Sequence, residues 1–333
     1  GLYILTQQKS AFDQCGAVRW FYRGEGWQFY ELLPNGNWLG TLITDQRSYH
    51  WIGFAEFTML GEKVNEYLVL PDYIHHEVQK LPSGNYLVAS NLFPVTVDDV
   101  TGALIDDGNS EEDTVLEISA ADGNIVRTWD FNTILDPDRT PIPSNGRADD
   151  WLHINSAVYD DAGTPADLSD DGIIITAQRQ SLVAKVAYET GELIWIIGSH
   201  AGWDPNDPNI QSKLLDPIDE QGNPIDINAE YFWPYGPHAA LVMGGGEVAI
   251  FDNGANRGFY GDLAPADTGD PDFSRGIQYL VDETNMTVQI TWQFDWDKRI
   301  FTSITGDIDY LDNGNYLLGF VGNRPGSSDD NPR

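Results

Sequence analysis

A strand-turn-strand unit recurs along this chain, and its recurrence narrows the fold more than any other feature. One copy is plain in His76-Glu77-Val78-Gln79-Lys80-Leu81-Pro82-Ser83-Gly84-Asn85-Tyr86-Leu87-Val88. It reads as a strand, a Pro-Ser-Gly-Asn turn and a second strand. After an acidic loop come Thr114-Val115-Leu116-Glu117-Ile118 and, past Asp122-Gly123-Asn124, Ile125-Val126-Arg127-Thr128-Trp129. Turn dipeptides between alternating apolar runs are hairpin signals, so the unit is four antiparallel strands. Related turns stand at Leu33-Pro34-Asn35-Gly36-Asn37, at Gly244-Gly245-Gly246-Glu247 and at Asp312-Asn313-Gly314-Asn315. Four-stranded units at this spacing, with a Trp in the closing strand, predict the blades of an all-β propeller.

The expected organisation is a single domain over residues 1–333. Blades fall near 27–70, 73–131, 151–197 and 236–294, with partial blades at 1–22 and 301–333. Leu2 to Phe21 reads as the outer two strands of a blade. The two partial blades either complement each other in a closed ring of five or belong to an incomplete ring of six. Pro325 to Arg333 reads as a loop entering another strand pair, which favours the incomplete ring. Helix is expected to be scarce. The Asp-rich stretches Asp98–Asp113, Asp160–Asp171, Asp204–Asp226 and Asp262–Asp272 read as long loops on the blade faces.

Counting back six residues from each turn selects one position per unit: Gln28, His76, His238 and Gly306, with His153 in the equivalent place of the third unit. The first strand of each blade lines the central channel, so these positions form a ring about the axis. The chain has six histidines, and three fall in this register. Titratable groups clustered in a cleft mark function more often than packing. The second strand of the third unit ends at Ala177 and delivers Arg179 beside His153. A guanidinium presents a rigid fork of donors suited to a tetrahedral oxyanion.

Composition closes off several other readings. The formal net charge is −34, from 52 acidic and 18 basic side chains; such a surface repels phosphate backbones, so no nucleic-acid partner is expected. The acidity itself suits solubility or a salty, cation-rich exterior. Cys15 is the one cysteine, which rules out an internal disulfide and a Cys-based zinc site. No apolar run approaches the ~20 residues of a membrane span. No secretory leader is legible at Gly1, leaving the chain mature, trimmed or a fragment.

Several runs carry a family resemblance that covers nearly the whole chain. Asp150-Trp151-Leu152-His153-Ile154-Asn155-Ser156, Gln178-Arg179-Gln180-Ser181-Leu182-Val183 and Pro237-His238-Ala239 resemble signature segments of the PAPS-independent bacterial arylsulfate sulfotransferases. So do His75-His76-Glu77 and Phe251-Asp252-Asn253-Gly254. The resemblance implies a six-bladed propeller, a periplasmic or extracellular location, and sulfuryl transfer between phenols with neither nucleotide donor nor metal. It places the nucleophile at His238, assisting histidines at His76 and His153, the sulfate-binding arginine at Arg179, and substrate-binding side chains at Asn155 and Thr305, with Thr302 close by. Where the family usually has Gln-His-Asp, this chain has Gly236-Pro237-His238-Ala239, so the partner that orients the imidazole is not the expected acid. The family's periplasmic members carry an N-terminal domain and a complete ring, and neither is legible in this chain.

Those residues support a definite chemistry. A neutral imidazole is a competent nucleophile near pH 7 and leaves well as an N-sulfo cation. The sulfuryl oxygens keep negative charge in a loose transition state, so positioning and charge stabilisation dominate. A protonated histidine serves as acid to the leaving phenolate and then as base to the incoming phenol. Trp151, Phe232, Trp233 and Tyr235 are candidates to clamp an aryl ring, with Trp233 and Tyr235 taken as substrate-binding. The expected partners are phenolic sulfate esters and phenols. Exposed blade edges also seek partners, which adds a homo-oligomer to the expectations. No resident cofactor is expected, although Asp167-Leu168-Ser169-Asp170-Asp171-Gly172 is a loop that could hold structural Ca²⁺. Two rival functions stand beside the transferase. One is a metal-dependent propeller hydrolase, which lacks an HExxH-like signal here. The other is a non-catalytic propeller that binds or builds an extracellular assembly.

Overall fold

A computed structural model describes residues 2–5, 9–23, 29–42, 51–69, 73–92, 95–97, 104–106, 112–142, 151–227, 231–261 and 272–320. The chain falls into two compact units, 1–130 and 131–333. The division lies between two sheets rather than inside one. Gln28, most of the loop at 98–113, the stretch 262–271 and the expected closing loop at 325–333 lie outside the described residues.

In the first unit, β1 (Leu2–Leu5), β2 (Ser10–Asp13) and β3 (Val18–Phe21) form a three-stranded antiparallel sheet, where sequence suggested two strands. The next sheet runs in chain order through β4 (Phe29–Leu32), β5 (Trp38–Leu42), β6 (Gly53–Phe57) and β7 (Lys63–Leu68). A third sheet has the order β8 (Tyr73–Lys80), β9 (Tyr86–Leu92), β12 (Glu112–Ile118), β13 (Ile125–Asp130), with the β10–β11 hairpin (Val95–Val97, Leu104–Asp106) set between β9 and β12 in sequence.

In the second unit a short helix, α1 (Phe131–Ile134), leads to the sheet β14 (Ile154–Asp160), β15 (Gly172–Ala177), β16 (Leu182–Ala187), β17 (Leu193–Gly198). The Asp204–Asp226 stretch is more than a loop. It holds a helical turn, α2 (Pro208–Gln211), and β18 (Asp216–Ile218). β18 pairs parallel to β22 (Thr287–Phe294) and adds a fifth strand outside β21 (Arg275–Asp282), β20 (Glu247–Asp252) and β19 (His238–Gly244). The hairpin β23 (Asp307–Tyr310)–β24 (Tyr316–Gly319) follows. Among the described residues no helix is long and apolar enough to cross a membrane.

The repeated turns are built alike. In three of them a Leu accepts from the Gly three residues on and donates to the Asn four residues on: Leu33 with Gly36 and Asn37, Leu81 with Gly84 and Asn85, Leu311 with Gly314 and Asn315. Gly84 sits at φ 90°, a region that costs any residue with a Cβ. The Asn then reaches to the third strand: Asn37 Nδ2 donates to Glu56 Oε1 at 2.6 Å and Asn85 Nδ2 to Glu117 Oε1 at 2.7 Å. One local solution therefore recurs, and it sets the register of each hairpin.

Sheets stack face to face within each unit, with first strands side by side: β4 beside β8 in the first, and β14 beside β19 beside β23 in the second. This is how propeller blades pack. The fold is all-β, in antiparallel propeller blades that are mostly four-stranded. Strand β20 shows why both faces are apolar. Val248 and Ile250 join the core shared with Ile174, Val183, Trp195 and Ile197. Ala249 and Phe251 point the other way, onto Ile308. Period-two alternation that is apolar on both faces is what a strand between two neighbouring sheets requires.

Candidate active site

The first strands share a defect at one end. The ladder slips between Ile74 and Val78 on β8, between Ile154 and Ser156 on β14, and between His238 and Ala240 on β19. Positive φ clusters there: 57° at His76, 55° at His153, 43° at Ala239 and 60° at Thr305. Non-glycine residues avoid this region unless the surroundings hold them in it, and such strain gathers at functional sites. A bulge also re-aims a side chain that the regular pleat would bury. The histidine register is not uniform. His238 is itself the first paired residue of β19, opposite Phe251, whereas His153 precedes Ile154, the first paired residue of β14.

In the second unit, β14 and β19 are joined at this end. Asn155 Nδ2 donates to Pro237 O at 3.0 Å, and the Ala240 N–H donates to Ser156 Oγ at 3.2 Å. Asn155 is buried, and its Oδ1 meets no hydrogen-bond partner among the described residues. His153 lies near enough to His238 for the two charges to repel. The Gln178 and Arg179 N–H groups donate to His153 O and Leu152 O at 2.9 and 3.0 Å, which seats the Arg179 turn against the histidine strand. Ser181 Oγ in that turn accepts from the Gly236 N–H at 3.2 Å. His153, Asn155, Arg179 and His238 therefore share one neighbourhood.

Arg179 is 4% exposed, and its Nε donates to Ile142 O at 2.9 Å, which sets the plane of the guanidinium. A second arginine braces the turn from behind. Arg139 Nη1 donates to Gln180 O at 2.6 Å and Nη2 to Ser199 O at 3.1 Å. Its guanidinium lies 4.1 Å from the Trp203 ring centroid and 3.9 Å from that of Tyr260. Nothing in the repeat pattern pointed to Arg139, because it lies outside the strands that the repeat defines.

His238 carries the clearest geometry. Its Nδ1 is 2.7 Å from Asn253 Oδ1 and 3.4 Å from Gly236 O, while its Nε2 is 3.0 Å from the Thr305 backbone N. A carbonyl only accepts and a peptide N–H only donates. The proton therefore sits on Nδ1 and the lone pair on Nε2. Burial, helped by the nearby His153 and only partly opposed by the bonds to Asn253 and Gly236, pushes the imidazole down to about 4. His238 is thus neutral at pH 7. Asn253 takes the place of the acid missing from Gly236-Pro237-His238-Ala239. Its position in Phe251-Asp252-Asn253-Gly254 was legible in sequence, but its role was not.

Thr305 meets His238 through its backbone; its hydroxyl turns to Ile304 O at 2.6 Å. Thr302 is buried with its hydroxyl on Ile304 O at 2.8 Å. The proposed aryl clamp is not assembled from Trp233 and Tyr235. They are 1% and 2% exposed within the blade core, and Trp233 Nε1 donates to Ile227 O at 2.7 Å. Trp151 and Phe232 are buried as well. Large rings with one polar handle satisfy both demands better in the interior than on an open wall.

Behind Asn253 lies a buried charge cluster. Asp252 Oδ2 accepts from Arg257 Nη2 at 2.7 Å and Arg275 Nε at 2.8 Å, and its Oδ1 accepts from the Tyr235 N–H at 2.9 Å. Burial alone would raise this carboxyl; the two guanidiniums and the Tyr235 N–H hold it below the usual range. Gly254 must be glycine, since at φ 75° an added Cβ would lie 1.9 Å from Phe273 O. Asp252→Ala would leave two buried guanidiniums uncompensated, at a cost of about 3–5 kcal/mol. Urea denaturation is expected to show that loss; wild-type stability would mean that the carbonyls of Trp233 and Phe273 suffice.

His76 belongs to the first unit, where it meets His75. Its Nδ1 lies 2.7 Å from His75 Nδ1, and His75 Nε2 lies 3.4 Å from Asp113 Oδ1. Both His75 and Asp113 are buried. His75 is part of the family resemblance, but in sequence neither it nor Asp113 took a role, because neither falls in the turn-counted register. Among the described residues no group of three or more His, Cys, Asp or Glu is arranged to hold a metal ion.

The model of the arylsulfotransferase (ASST) family matches residues 3–328. Two arylsulfate sulfotransferases AssT, from Escherichia coli O6:H1 and Lelliottia amnigena, are each 26% identical to the chain, over 324 and 335 residues. In both cases the match covers 84% of this chain and 50% of the relative, so the chain spans about half the length of the curated relatives it matches. A solved structure, a Bacteroides caccae protein of unknown function, superposes with a TM-score of 0.44 at 14% identity, covering 89% of this chain and 78% of that one. On the family match over nearly its whole length, this chain belongs to the arylsulfotransferase family.

Proposed function

We propose that this protein transfers a sulfuryl group from an aryl sulfate to a phenolic acceptor, by a ping-pong route through a covalent sulfo-histidine at His238 and without a nucleotide donor. The observation that carries this reading is the state of His238: neutral, with Nδ1–H held by Asn253 and the lone pair on Nε2. The Nε2 lone pair attacks sulfur as the S–O bond to the aryl group breaks. The phenolate takes a proton from an acid in the site, for which His153, close to His238, is the candidate; the family resemblance gives His76 an assisting role. The second phenol loses its proton to the same group and attacks sulfur, and the S–N bond breaks to restore neutral His238. The Nδ1 proton stays in place throughout.

Arg179 balances charge on the sulfuryl oxygens. Asn155 Oδ1, which meets no hydrogen-bond partner among the described residues, accepts the hydroxyl of the phenol as it enters, before its proton passes to the histidine. No step calls for a metal, nicotinamide or other cofactor. The family resemblance supports a six-bladed ring and action in the periplasm or outside the cell, where a strongly acidic surface suits an exposed protein.

The test is turnover of a chromogenic aryl sulfate with a second phenol as acceptor. Parallel double-reciprocal lines are expected, together with a His238 peptide heavier by one SO₃ after donor alone. His76→Ala and His153→Ala are each expected to leave measurable transfer. Activity that appears only on adding a divalent cation would favour a hydrolase. A protein inert toward every aryl sulfate would favour the non-catalytic propeller.

A further inference from the structure

We propose that Asn253 is the positioning residue of the nucleophile: one carboxamide fixes the tautomer of His238 and holds the turn whose Thr305 N–H caps Nε2 until substrate displaces it. The proposal rests on His238 being the sulfuryl acceptor.

The geometry is a closed cycle. His238 Nδ1–H donates to Asn253 Oδ1 at 2.7 Å; Asn253 Nδ2 donates to Thr305 O at 2.7 Å; Thr305 N–H donates to His238 Nε2 at 3.0 Å. Asn253 Nδ2 also donates to Thr302 O at 2.7 Å. Both neighbours of Nδ2 are carbonyls, so the amide cannot be turned over, and its oxygen must face the imidazole. Asn253 is itself wholly buried, and its carbonyl accepts from Ser274 Oγ at 2.8 Å. The carboxamide thus has no freedom to turn over.

Two consequences follow for the reaction. An amide orients the imidazole without lending it negative charge, so the ring stays neutral and its lone pair stays on the nitrogen that must attack. The same lone pair is engaged by a peptide N–H, so attack on sulfur requires the 302–305 turn to move. Thr305 at φ 60° is a β-branched residue in a disfavoured region, and the exposed Ser303 and Ile304 precede it. Thr302 at the base of the turn is buried, so the shift falls on the exposed Ser303 and Ile304 and on the Thr305 peptide that follows them. Once the lone pair bonds to sulfur, the displaced N–H is left as a donor beside the new sulfuryl oxygens.

β23, packed beside β19, begins just past Thr305 with Asp307 and Asp309, whose carboxyls burial raises, Asp307 to about 6. His153 faces the His238 ring from the β14 side, and the Arg179 turn seats against that strand. Asp252, next to Asn253 on β20, is already bound to Arg257 and Arg275. The turn at 302–306 carries no titratable side chain.

The test uses the full chain with ¹⁵N-histidine and uniform ¹⁵N labelling. In the wild type, the His238 ring nitrogens are expected to show Nδ1–H and a bare Nε2 at neutral pH. A ¹⁵N–¹⁵N coupling between Thr305 N and His238 Nε2 should vanish on sulfation. An Nε2–H tautomer, or no coupling, overturns the proposal before any variant is made. Asn253→Asp keeps the acceptor toward Nδ1 but cannot donate to the Thr302 and Thr305 carbonyls. It should break the cap and raise the protonation midpoint of His238 by a unit or more, moving the acid limb of kcat upward with it. Asn253→Ala should mix the two tautomers and lower kcat about 10²-fold, the scale of a small misplacement of a reacting group, with KM nearly unchanged. Wild-type tautomer, midpoint and kcat in a folded Asn253→Ala would overturn the role. If that variant does not fold, the wild-type spectra and Asn253→Asp decide. The outcome is separable from the proposed function: full transfer by His238→Ala would remove the nucleophile assignment while leaving the tautomer reading intact.

Discussion

Replacing His238 with alanine is expected to abolish sulfuryl transfer, by about 10⁴-fold or more, the order met when a covalent nucleophile is deleted. The loss should fall on both half-reactions. Neither the release of the first phenol nor the sulfated peptide should appear, because each needs the Nε2 lone pair. Stability should fall by about 1–3 kcal/mol, since losing the buried imidazole leaves Asn253 Oδ1 and the Thr305 N–H without their partner. Stopped-flow release of the donor phenol, read beside a urea denaturation curve, separates a chemical defect from a folding one. A variant that folds and still shows a burst of phenol would move the nucleophile to another side chain.

Arg179→Ala is expected to cost about 10²–10³-fold in kcat, the size of effect found when one preorganised donor to a developing anion is removed. The guanidinium is placed by its Nε bond to Ile142 O and by a backbone clamped between Leu152 and Ile142. Lysine cannot reproduce that bond and a forked approach at once, so Arg179→Lys should recover only a small part of the loss. The control is Arg139→Lys. It keeps a cation beside Trp203 and Tyr260 but loses the fork that holds Gln180 O and Ser199 O. If the Arg179 turn is positioned from behind, this variant should lower kcat more than it changes KM. Equal activity in Arg179→Lys and wild type would show that charge alone matters and that the fork does not.

Much of the architecture is local in origin, and that part was legible. The Leu-Pro-Ser-Gly-Asn turn closes over five residues, so its hydrogen bonds at Leu33, Leu81 and Leu311 follow from residues adjacent in the chain. Apolar alternation on both faces of strands such as β20 says that a sheet will be covered on both sides. Departures came where a partner from far along the chain decided the outcome. Pro217 and its neighbours join a sheet because β22, some seventy residues on, offers an open edge; nothing near Asp216 says so. Trp233 and Tyr235 went to the core because distant strands, those of Ile174, Val183 and Ile277 among them, supplied the apolar surface.

The site divides in the same way. Sequence by itself determined which residue types were available at the strand ends: His76 and His238 by their distance from a turn, His153 by the equivalent place in its unit, and Arg179 by following the strand that ends at Ala177. Tertiary structure alone decided the state of His238. That state depends on a carboxamide fifteen residues away, just past β20, and a peptide N–H sixty-seven residues away, in the turn before β23. A bulge then shifts the register by one residue at the point where these groups meet. Tautomer and protonation are properties of what surrounds a ring, and only the packing of β14, β19, β20 and the 302–305 turn brings those surroundings together.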